Sequence, residues 1–149
     1  MAVENFSFWI WLAAVLLIVG IGLGSMVRAY WGKESVVVIF PDPIATDPVP
    51  TLQPEAASRF QQACTAYRNG QYRQAIDQFT QAIQHDPDLA EAYHNRGRAI
   101  VNLRRIPEGI ADLVKAGEIY SQQNNGAELT QLKQDLSVLK GQKDKATQG

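Results

Sequence analysis

Three patterns of hydrophobic and polar positions follow one another along the chain. From Phe6 to Val27 no residue carries a charge. As a helix this run would extend about 33 Å, which matches the roughly 30 Å of a hydrocarbon core. Trp9 and Trp11 stand near one end and Tyr30 and Trp31 near the other, where interfacial rings are expected. The pattern predicts one N-terminal transmembrane helix within an anchor spanning 6–31. A cleaved leader would want a positive n-region, yet Glu4 is the only charged side chain ahead of the run. Gly20 and Gly24 share one face of the predicted helix at a spacing that lets another helix approach closely. Arg28 and Lys33 follow the span and no Lys or Arg precedes it, so the C-terminal domain is expected on the cytoplasmic side.

The second pattern, over 32–54, is extended. Ser35 to Phe40 is a short β-favouring run that suits an interfacial segment or an edge for a partner strand. Pro41, Pro43, Pro48, Pro50 and Pro54 then forbid a helix and favour polyproline geometry. This stretch reads as a semi-rigid spacer of about 40 Å at most, lifting the soluble domain from the headgroups.

The third pattern repeats. A shift of 34 residues lays Ala63 on Gly97, Ala75 on Gly109, Ile76 on Ile110, Phe79 on Leu113 and Ala82 on Ala116. Tyr72, Ala75, Ile76, Phe79, Ala82 and Ile83 step by threes and fours, an amphipathic helix. Ile106, Ile110, Leu113, Gly117 and Tyr120 repeat that face. Earlier helices are predicted over 55–69 and 89–103, with breaks at Asn69-Gly70 and Asp86-Pro87-Asp88. Leu129, Leu132, Leu136 and Leu139 mark a fifth helix suited to cap the array, followed from Gly141 by a polar, frayed tail. The fold class is therefore all-α: a transmembrane helix, a Pro-rich linker, two helix-turn-helix repeats at about 56–89 and 90–123, and a capping helix at about 126–140.

The wording of the repeats carries a resemblance. Asn69-Gly70-Gln71-Tyr72-Arg73-Gln74-Ala75-Ile76 with Phe79, Ala82 and Asp86-Pro87 closely resembles the tetratricopeptide repeat (TPR), as does Ala90-Glu91-Ala92-Tyr93 with Gly97. The second unit departs from the pattern at Arg104, where the turn glycine is usual, and at Ile106 and Ser121. The resemblance covers about 55–140 and implies a helical stack whose first helices line a groove for a peptide or protein tail. It places Phe60, Cys64, Tyr67, Arg68, Glu91, His94, Asn95, Arg98 and Asn102 on that groove, although Tyr67 and Cys64 equally suit helix packing. Asn95 matches one asparagine of the terminal-carboxylate clamp of chaperone-tail-binding TPRs. Phe60 and Cys64 replace that clamp's first-repeat residues, so its specificity is not expected. The layout is also similar to membrane-anchored TPR assembly factors of cyanobacteria and chloroplasts, which would make the membrane a plasma or thylakoid membrane.

Composition narrows the function classes. A formal charge of −1 gives no reason to expect nucleic acid. Cys64 is the single cysteine, which excludes an internal disulfide or a thiolate metal cage. His85 and His94 lie nine residues apart, unlike a zinc pair, and each reads as a polar surface residue. Arg96, Arg98, Arg104 and Arg105 form the densest cationic cluster, which reads first as a solvated face and second as a site for acidic segments or anionic headgroups. With no phosphate loop after a strand and no paired nucleophile, an enzyme, a cofactor and a small-molecule substrate are not expected. The leading expectation is a membrane-tethered scaffold or assembly factor for other membrane proteins. A permanent subunit of a membrane complex and a periplasm-facing TPR protein handling exported chains are the alternatives.

Overall fold

The computed structural model describes residues 37–44 and 47–147. The predicted span, with Gly20 and Gly24, lies outside the described residues. Among those described there are five helices and no strand: α1 Pro54–Arg68, α2 Tyr72–His85, α3 Ala90–Asn102, α4 Ile106–Gln122 and α5 Gly126–Thr147. No described helix is long and apolar enough to cross a membrane.

Each helix packs on the next in chain order. Two cores result. Phe60, Ala63, Ala66 and Tyr67 of α1 meet Ala75, Phe79 and Ala82 of α2 and Ala92 and Ala99 of α3. Val101, Leu113, Ala116, Ile119 and Tyr120 meet Leu132 and Leu139 of α5. α2 shows the cause of this layering most plainly. Its buried residues, Ala75, Phe79 and Ala82, fall at helical spacing on one face, while Arg73, Gln74 and Asp77 remain exposed.

Small residues set how closely the second pair crosses. A methyl group built on Gly109 would sit 2.5 Å from a Val101 methyl and 2.7 Å from the Gly97 carbonyl oxygen. The carbonyl is backbone and cannot swing aside, so the α3–α4 contact excludes even alanine there.

Three helices end in the same way. Gly70, Arg104 and Asn124 have φ of 71°, 65° and 56°. At each, the residue's own N–H reaches back to the carbonyl three positions earlier, and the next N–H bonds the carbonyl five back (Gln71 to Ala66, Arg105 to Ile100, Asn125 to Tyr120). This is the Schellman closure, which consumes carbonyls that the helix end leaves unpaired. α2 stops differently: Pro87 follows, and the Asp88 N–H donates to the Asp86 side chain at 3.1 Å.

Two differences from the sequence reading concern the ends. Residues 38–44 and 47–50 are not a spacer held away from the domain. Phe40, Pro43 and Val49 are buried, and Phe40 and Val49 each enter one of the two cores. At the other end, α5 continues to Thr147 where a frayed tail from Gly141 is expected.

These observations give two opposed expectations. Gly109→Ala overpacks the α3–α4 crossing and should cost about 1–3 kcal/mol. Arg104→Gly relieves a left-handed conformation that costs a side-chain-bearing residue roughly 1–2 kcal/mol, partly offset by glycine's freer unfolded state, and should stabilise by about 1 kcal/mol. Denaturant unfolding of both variants checks the signs.

Candidate peptide-binding groove

The face formed by α1 and α3, bounded by α5, is occupied by the chain's own residues 38–44 and 47–50. An extended chain against helices has no neighbouring strand, so its buried amides need side-chain partners. Asn102, at the end of α3, supplies most of them. Its Oδ1 accepts the N–H groups of Ile39 and Phe40, both at 3.0 Å, and its Nδ2 donates to the Phe40 carbonyl at 2.7 Å. The Tyr67 hydroxyl donates to that carbonyl at 2.8 Å and accepts from Asn102 Nδ2 at 3.0 Å. Asn95 reads Ile44 in both directions, accepting its N–H and donating to its carbonyl, each at 2.7 Å.

The two asparagines stand seven residues apart, two helical turns, and so share one face of α3 over roughly 10 Å. Phe40 to Ile44 as an extended chain covers roughly 13 Å. The spacings agree closely enough for one strap to meet both. Pro41 and Pro43 help by having no N–H to satisfy. Between the clamps, Arg98 lies over the Phe40 ring, its guanidinium carbon 4.8 Å from the centroid, and Nη1 donates to the Asp42 carbonyl at 3.0 Å. Burying Phe40 contributes about 1.5–3 kcal/mol. Farther along, the Thr51 hydroxyl donates to Asp86, fixing the approach to α1.

Sequence reasoning placed nine residues on this groove, and the structure divides them. Tyr67, Asn95, Arg98 and Asn102 meet the strap directly. Phe60 is buried, packing edge-on against Phe79 with centroids 5.6 Å apart, in the core that also takes Val49. Cys64 is also buried, and burial pushes its thiol up to about 11, against a smaller opposing pull from Arg68. Arg68 is exposed at the end of α1. Glu91 is buried in the first turn of α3, and burial raises its pKa.

His94 is a correction of a different kind. It is not a surface residue but is fully buried, with Nε2 2.8 Å from Asp135 Oδ2 on α5 and Nδ1 3.5 Å from the Tyr120 hydroxyl. Asp135 also faces Arg98: Nε lies 2.8 Å from Oδ2, and Nη2 donates to Oδ1 at 3.4 Å. The Nε contact is an ion pair by distance, but its N–H is not aimed well enough for a hydrogen bond. Gln131 completes the carboxylate's partners at 3.3 Å. Asp135 thus joins the groove's arginine to the cap, and sequence reasoning missed it. It stands among the leucines of α5, three after Leu132 and four before Leu139, a position at which a charge signals a buried partner.

The arginine cluster is likewise divided. Arg96 grips Asp112 with two bonds of 2.7 and 2.8 Å and reaches Thr80 at 3.1 Å, tying α3 to α4 and α2. Arg105 pairs with Glu108 at the surface. Among the described residues no group of His, Cys, Asp or Glu is arranged to hold a metal.

Residues 65–103 match the family model described as TPR repeat. Over that stretch the chain is similar to a tetratricopeptide repeat. The matched stretch runs from the last turn of α1 through α3, and so includes Tyr67, Asn95, Arg98 and Asn102. No curated protein and no solved structure matches the chain.

Burial lowers the pKa of His94, opposed by its bond to Asp135, with Arg98 adding to the lowering and Glu128 opposing it. The unfolded chain takes up the proton near 6.5, whereas the folded chain does so only at lower pH. Stability is therefore complete above about pH 6.5 and falls as pH drops toward the folded value, by up to about 1.4 kcal/mol per unit. Thermal unfolding from pH 7.5 to 5 should show this fall, and His94→Gln, which keeps a donor toward Asp135, should flatten it. Glu91 contributes equally to both chains and cancels in the comparison.

Proposed function

We propose that this chain is a membrane-anchored TPR module that holds other membrane proteins, acting as a scaffold or assembly factor. The observation that carries the reading is the pair Asn95 and Asn102. They address backbone N–H and C=O groups of an extended segment, which is recognition of polypeptide as such. A TPR repeat is an interaction module, consistent with this use. The anchor rests on the uncharged run Phe6–Val27 and the orientation on Arg28 and Lys33, which favour a cytoplasmic C-terminal domain. The resemblance in layout to cyanobacterial and chloroplast assembly factors makes photosynthetic complexes the first clients to examine.

The full chain, tagged after Gly149, should stay with membranes through alkaline extraction. A mild-detergent pull-down should then recover several partners in less than equal amounts, enriched while new complexes are being built. Release by alkali would remove the anchor. One complex at equal stoichiometry in every growth state would make the chain a permanent subunit instead.

A further inference from the structure

We infer that the strap described over residues 38–44 and 47–50 is a built-in competitor, and that the groove beneath it receives an extended segment of a partner protein with the strap's own chemistry. That chemistry is an aromatic residue, then proline, a polar residue and a second proline, with an aliphatic residue four places after the aromatic. The inference rests on the reading of the TPR as a polypeptide-binding module and names the class of segment it binds.

Three observations lead to it. First, the strap is held as a ligand is held. Its hydrogen bonds to α1 and α3 run from side chains to its backbone, through Asn95, Asn102, Tyr67 and Arg98. Among the described residues no backbone–backbone hydrogen bond ties the strap to a helix; the Val49 carbonyl accepts instead from the N–H of Thr51, just beyond the strap. Any segment presenting the same backbone can take these bonds over, with its aromatic residue beneath Arg98.

Second, the strap does not fill the site. A cleft of about 530 Å³ lies beside it, bounded by Pro41, Asp42, Pro43 and Ile44 on one side and by Arg98, Ala127, Glu128 and Gln131 on the other. A partner with larger side chains at the polar and aliphatic positions could gain contacts with α5 that the strap lacks.

Third, much of the strap faces solvent. Val37, Val38, Pro41 and Asp42 are exposed, as are Asp47, Pro48 and Pro50. Opening it breaks no backbone–backbone hydrogen bond to a helix among the described residues, though it withdraws Phe40 and Val49 from the cores, so it is a segment suited to local opening.

Competition in cis sets the threshold for a partner. A segment joined to its site by a few residues acts at an effective concentration on the order of millimolar. A free segment identical to the strap should therefore bind weakly to the wild type, and weakening the strap should raise its apparent affinity.

The probe is a fluorescent peptide with the sequence of residues 37–51, titrated by anisotropy into the full chain in mild detergent. Phe40→Ala in the chain should tighten binding at least tenfold. Adding Asn95→Ala and Asn102→Ala to that chain should abolish binding, with circular dichroism confirming that the helices persist. Equal binding to wild type and Phe40→Ala would overturn the inference.

Should Phe40→Ala fail to fold, hydrogen exchange on the wild type decides instead. The Phe40 and Ile44 amides should exchange at least tenfold faster than core amides of α3, and exchange at the same rate would contradict a displaceable strap. A wild-type dimer dissociated by the peptide would also overturn it, by making a second copy the occupant. These results leave the membrane pull-down untouched, so the inference can fail while the broader reading stands.

Discussion

A buried extended segment needs partners for its N–H and C=O groups, and here helices must provide them with side chains. Asn102 meets that constraint at the most buried point of the strap. One amide side chain accepts from two consecutive N–H groups and returns two donor bonds, to the Phe40 carbonyl and the Tyr67 hydroxyl. Leaving those groups unpaired would cost about 1–3 kcal/mol each. Phe40 can therefore enter the second core only because Asn102 and Tyr67 stand at the ends of α3 and α1. Their placement depends in turn on the close stacking that Gly97 and Gly109 permit.

The same face is braced from the far side. Asp135 on α5 holds both His94 and Arg98, and Arg98 covers Phe40. The cap is thus more than an apolar lid over the last repeat. A single carboxylate links the end of the array to the residue that clamps the strap's aromatic ring. In a largely excluded site such charge-assisted contacts are stronger than at the surface, and losing one partner leaves the others exposed to the full cost of burial.

Much of the helical array could be read from the sequence because packing constrains it locally. Ala75, Ala82, Gly97 and Gly109 had to be small for the helices to nest, and that need leaves a 34-residue periodicity. The turn at Arg104 was visible too, as a departure from glycine, and its φ of 65° shows that the left-handed conformation was kept without the residue that favours it. The groove was legible only in part. Asn95, Asn102, Tyr67 and Arg98 were named as groove residues, but what lies against them was not. Five prolines between residues 41 and 54 look like a spacer by composition, because composition records stiffness and not the asparagines waiting 50 to 60 residues away. Asp135 was missed, and His94 misread as a surface residue, for a related reason: their pairing joins α3 to α5 and has no local signature beyond a charge set among leucines.

The most direct test of this account is a nuclear Overhauser spectrum of the isotope-labelled full chain in detergent, read at the side-chain amides of Asn95 and Asn102. Cross-peaks from Asn102 to the Ile39 and Phe40 amides, and from Asn95 to Ile44, are the predicted result. Random-coil shifts for Phe40 and Ile44, with no cross-peaks to either asparagine, would show that the groove is empty and contradict the account.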